Sequence, residues 1–149
     1  MEIDRQAMVQ LHERVVQAIR EGGVAPAALM AQLAVIRYDI DMALSEARMR
    51  KSTLSRNIED LRKSVVEAVG GWTALGKNNE EREYALRIAL GRSEAYGQAS
   101  QELARVEFEI DRLQAARDFI DNLISSLRGA IRAYLAQSLN VSGRVEDIL

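Results

Sequence analysis

Cysteine is absent from the 149 residues, and histidine occurs once, as His12 beside Glu13. Those two counts remove thiol catalysis, thiolate zinc sites and any two-histidine metal cluster within one chain. Carboxylate chemistry is what remains, and its spacing argues against it. A magnesium site between helices asks for E-E-x-x-E and a later E-x-x-D. Here Glu80-Glu81 is followed by Tyr84 where the third acid belongs, and Glu107, Glu109 and Asp111 cluster without the second spacing. Glu-x-x-His pairs, which hold di-iron in helical bundles, do not occur. A P-loop, a G-x-G-x-x-G run and a G-x-S-x-G elbow are also missing. The expectation is a non-enzymatic chain with no catalytic residue, no cofactor and no metal.

Basic side chains offer the other chemistry. Arg48, Arg50, Lys51 and Arg56 are candidate phosphate or nucleic-acid contacts, because guanidinium forks match phosphate geometry. No aromatic residue lies between Met42 and Trp72 to stack on bases, so a single-strand platform has little to build on there. Arg128, Arg132 and Arg144 make a second basic run, with no acid from Asn122 to Val145. The whole chain carries a net charge of −2, which is no polycation.

The elements that must position these groups are helical. Met8, Leu11, Val15 and Ile19 share one face of a helix over 4–21, which Gly22-Gly23 ends. Pro26 opens a second helix over 26–69, with Leu29, Leu33, Ile36, Ile40, Ala43, Ala47, Leu54, Ile58, Leu61, Val65 and Ala68 at steps of three and four. After Gly70-Gly71, Asn78 and Glu81 read as a capping box for a short helix over 79–90. A last long helix, 94–138, repeats Ala99, Leu103, Val106, Ile110, Leu113, Arg117, Ile120, Ile124, Leu127, Ile131 and Tyr134, leaving a tail over 139–149. No period-two alternation runs long enough for a sheet. The expected fold is all-α: one domain over 1–149, built as a long antiparallel helical hairpin (a coiled coil), with the N-terminal helix packed at one end and a short helix in the connection.

One register aligns the two stripes, with paired residue numbers adding to about 167–168, so that Ile58 meets Ile110 and Leu61 meets Val106. Charge agrees, since residues 45–63 are net +3 and 94–121 net −4. That register sets Arg50 opposite Arg117 in the seam. Two guanidinium groups share an apolar layer only if carboxylates answer them, which Glu46, Asp118 and Asp121 are near enough to do. The layer reads either as a register-fixing polar rung or as an anion site.

A second apolar stripe, Val35, Tyr38, Met42 and Met49, and its counterpart Phe119, Leu123 and Ala130, await either the N-terminal helix or a second chain. A thin hairpin buries little per residue, so homo-oligomerisation is expected. Trp72, the only tryptophan, reads as a plug beside Leu75 and Tyr84 or as an exposed anchor for a partner. The opening Met-Glu-Ile-Asp-Arg lacks the basic and apolar regions of a signal peptide, and no apolar run reaches bilayer length, so a cytoplasmic protein without membrane contact is expected.

Lys77, Asn78, Arg82 and Leu86 match a K-N-x-x-x-R-x-x-x-L stretch before a long charged helix. Across roughly residues 70–138 the chain thereby resembles small helical coiled-coil accessory proteins encoded by phages and prophages. The resemblance implies an accessory that works inside an infected cell, alongside phage DNA metabolism or against a host system, and it carries no catalytic residue. The expected function is that of an oligomeric interaction protein binding another protein. The alternative is a nucleic-acid-binding accessory whose basic faces oligomerisation brings together.

Overall fold

The computed structural model describes the backbone of residues 5–146 and the side chains of residues 5–139. Among the described residues four α-helices follow one another: α1 (Arg5–Glu21), α2 (Ala25–Ala68), α3 (Asn79–Arg92) and α4 (Glu94–Glu146), with a short 3-10 turn at Trp72–Leu75. Among the described residues there is no strand, and α2 packs against α4 as an all-α helical hairpin. Helix α4 runs on to Glu146 and absorbs the stretch expected as a tail from 139.

Local chemistry sets the boundaries. Helix α2 ends in a glycine cap: Gly70, at φ 94°, donates to Glu67 O, and Gly71 donates to Val66 O. That is the paired bonding by which a left-handed residue closes a helix C-terminus. Asn78 Oδ1 accepts from Glu81 N at 2.9 Å to start α3, and Glu81 Oε2 accepts from Lys77 N at 2.8 Å. The capping box thus closes on the residue before the cap. Ser93 breaks α3 from α4, and its Oγ accepts from Tyr96 N.

The contacts divide into two compact units, residues 1–43 with 113–149 and residues 44–112. In the first, the core is Val15 and Ala18 of α1, Leu29, Leu33 and Ile40 of α2, and Leu113, Ala116, Ile120, Leu123, Ile124 and Leu127 of α4. Helix α1 docks within its own chain, with Arg14 Nη2 donating to Gln32 Oε1 at 2.7 Å. In the second unit, Leu44, Ala47, Leu86, Leu90, Ala99, Val106 and Ile110 are buried. Leu54, Ile58, Leu61 and Val65 are half-buried there.

Register departs from expectation. In the first unit Arg37 pairs with Asp121 and Asp41 with Arg117; in the second, Arg50 pairs with Glu109 and Lys51 with Glu107. The numbers of each pair add to 158 or 159 rather than 167–168. Ile58 is therefore level with residues near 101, and Ile110 lies about 13 Å further along α4. The reason is that stripes stepping by three and four offer several alignments of similar apolar match, and the observed one lies about nine residues from the expected one. Pairwise charges decide between such shifts, and net charge over long stretches does not.

Two outcomes check this packing. With cysteine otherwise absent, Arg50→Cys with Glu109→Cys is expected to cross-link through a short bismaleimide, while Ile58→Cys with Ile110→Cys is not, as read on a gel after proteolysis between the sites. Ile40→Ala, at a fully buried position, is expected to lower unfolding free energy by about 2–4 kcal/mol in denaturant titration.

Candidate interaction surface

Charged groups stay at the edges of the helix pair. Among the described residues no polar or charged residue is buried. The expected seam layer of Arg50 and Arg117 is absent: the residue inside the core is Ala116, 3 % exposed, while Arg117 and Arg50 have side chains 37 % and 53 % exposed. A guanidinium one position to the side of the seam keeps part of its hydration, which the interior does not replace.

In the first unit, Arg37 reaches Asp121 through Nε at 2.5 Å and Asp41 through Nη1 at 2.9 Å. Arg117 Nε, shielded from solvent, lies 3.0 Å from Asp41 Oδ1 without hydrogen-bond alignment. The hydrogen bond to Asp121, with the negative charges of Asp121 and Asp41, holds the Arg37 guanidinium above its ordinary pKa. Of the residues expected to answer the arginine pair, Asp121 serves Arg37 instead. Glu46 is exposed and Asp118 is exposed, and neither forms an ion pair with another described residue. Sequence reasoning missed Arg37, although Arg37 and Asp41 carry the i, i+4 spacing that joins opposite charges on one helix.

The candidate phosphate contacts divide in two. Arg50 is answered by Glu109 at 2.9 Å and Lys51 by Glu107 at 2.8 Å. Arg48 and Arg56 are exposed and have no ion-pair partner among the described residues. Half of that basic cluster is thus neutralised by its own chain.

The apolar stripes have different fates. Leu123 is buried and Phe119 and Ala130 are half-buried, so the α4 stripe belongs to the core side of the first unit. Val35, Tyr38 and Met42 remain 62 %, 63 % and 47 % exposed on α2, and α1 leaves them open. Ala27, Ala31 and Ala34 continue that outward face toward the N-terminus of α2, since 27, 31, 34 and 38 follow helical spacing. These alanines line a groove of about 620 Å³ with Met30, Ile124 and Arg128. In the second unit Met49 is exposed. Trp72 is half-buried and lines a slot of about 500 Å³ with Val66 and Leu86. Tyr84, expected beside it, is 66 % exposed.

The residues of the K-N-x-x-x-R-x-x-x-L stretch have structural work. Asn78 caps α3, Lys77 N donates to Glu81, Arg82 Nε donates to Gly76 O at 2.9 Å, and Leu86 is 1 % exposed. Gly76 is required by close approach, because a Cβ there would stand 2.6 Å from Glu81 Cβ and 3.1 Å from Arg82 N.

Among the described residues no group of three or more histidines or acids is placed to hold a metal ion, and no helix is long and apolar enough to cross a membrane. Comparison with protein families, with characterised proteins and with solved structures finds no match.

Removing the shared carboxylate should be felt on both of its arginines. Asp41→Ala is expected to lower unfolding free energy by roughly 0.5–1 kcal/mol at low salt, because the groups are a third exposed and the pairs are correspondingly discounted. Repeating the denaturation in about 1 M salt should erase most of the difference.

Proposed function

We propose that this chain is a non-enzymatic helical-hairpin protein that works by binding another protein. The observation that carries the reading is the uncovered apolar face of α2 in the first unit, where Val35, Tyr38 and Met42 stand exposed at helical spacing. Water-facing valine, tyrosine and methionine on consecutive turns make a patch of the kind that marks interaction sites. Tyrosine is also a frequent anchor in such contacts. On the resemblance over residues 70–138, the reading extends to a phage- or prophage-type accessory. Self-association is its homotypic form, in which the partner is a second copy. Nucleic-acid binding has less support, because Glu109 and Glu107 already occupy Arg50 and Lys51.

Site-specific photo-cross-linking tests this in cells that naturally produce the chain. A benzophenone amino acid in place of Tyr38 is expected to give a discrete adduct, and its mass separates a second copy from a different protein. The same probe in place of the exposed Arg56 is expected to give none. Adducts at neither position, or the same adducts at both, would overturn the reading.

A further inference from the structure

The open face of the first unit is bordered by cations that no described residue answers. Arg128 lines the groove beside Ala27, Ala31 and Ala34, and Arg132 follows one turn along α4. Neither has an ion-pair partner among the described residues. The other basic residue of the groove, Arg37, is already held by Asp41 and Asp121. Asp121, the one acid in the lining, is thereby spent. From Asn122 to Val145 the sequence has no Asp or Glu that could reach the two arginines from their own helix.

The shape of the groove suits a helix. Alanine on three successive turns of α2 lets a neighbouring helix axis approach to the short end of the usual range, about 8 Å. Ile124, 7 % exposed, offers an apolar floor. Tyr38, one turn beyond Ala34, stands at the end of the same face as a ring for the visiting helix to pack on.

We propose that the groove seats an amphipathic helix of another protein whose edge toward α4 carries Asp or Glu against Arg128 and Arg132. This rests on the interaction reading above and adds the chemistry of the partner. Helices α1 and α3 of the chain itself fit the charge poorly. Helix α1 has three arginines against Glu13 and Glu21, and α3 balances three acids with three arginines. Glu107 and Glu109 of α4 are already paired.

The test uses the full chain and two labelled helical peptides with the same Leu/Ala face, one bordered by Glu and the other by Lys, read by fluorescence anisotropy. The Glu peptide is expected to bind, to weaken as salt rises, and to lose at least roughly tenfold in affinity against Arg128→Glu with Arg132→Glu. Ala31→Trp, which fills the groove and leaves both arginines in place, is expected to abolish binding. All three positions are exposed, and circular dichroism of each variant should match the wild type. Equal binding of the Lys peptide, or binding indifferent to either set of substitutions, would overturn the charge assignment. So would binding of neither peptide. If Tyr38 still gives its discrete cross-link in that last case, the interaction reading stands and only the partner chemistry falls.

Discussion

Burying a guanidinium among aliphatic side chains costs several kcal/mol even after relaxation, and a long helix pair rich in arginine must avoid that cost at every turn. Here the seam is kept apolar and the charges are moved one position to its edges. Asp41 makes this visible, because one carboxylate serves Arg37 on its own helix and Arg117 on the facing one. The core beside them contains Ala116, Ile120 and Ile40, none more than 3 % exposed. In the second unit Arg50 and Lys51 reach Glu109 and Glu107 along an edge in the same manner. Each pair is partly exposed and contributes little stability alone. Their effect is selective: a slipped alignment would set Arg37 and Arg50 opposite groups that cannot answer them. Register is the property they determine.

That division of labour explains what the sequence discloses and what it withholds. The helix ends are local facts, and the Gly70 cap, the Asn78 cap and the first-turn position of Pro26 can be read from neighbouring residues alone. The pairing of α2 with α4 follows from two long apolar stripes on one chain. Register does not follow, since the stripes repeat with a period that nearly maps onto itself. Cross-helix pairs resolve the ambiguity, as Arg37 with Asp121 does across 84 positions of sequence. Arg117 shows the same limit on a smaller scale. Strict alternation of threes and fours assigns it to the seam, yet rotating the count by one residue puts Ala116 there and leaves the charge outside.

The candidate surface was legible in part. Val35, Tyr38 and Met42 stand out as a second stripe by spacing, and their exposure depends on which side of α2 the first helix takes. Helix α1 docks near Gln32, and the face bearing Tyr38 is left uncovered. The groove beside it was not legible, because alanines at 27, 31 and 34 look the same whether they face water, a core or a partner. The match over Lys77, Asn78, Arg82 and Leu86 also changes meaning with structure. Each of those residues is occupied in starting or anchoring α3, so the pattern describes how a helix begins.

Exposed alanine alone has a plain explanation, since it is the best helix former and suits any solvated turn. Valine and tyrosine do not share that excuse: both lose side-chain freedom in a helix, and both leave apolar surface in water when exposed. Their presence at 35 and 38, on the face that the alanines continue, is a cost in local stability with no return inside the first unit. Arg128 and Arg132 add free charge beside that face. The seam-edge arginines at 37, 50 and 117 all have carboxylates within reach, and among the described residues Arg128 and Arg132 do not. The alanines of α2 and Arg128 of α4 line one groove, and a single acidic amphipathic helix laid into it would cover apolar surface and pair with the free charge together.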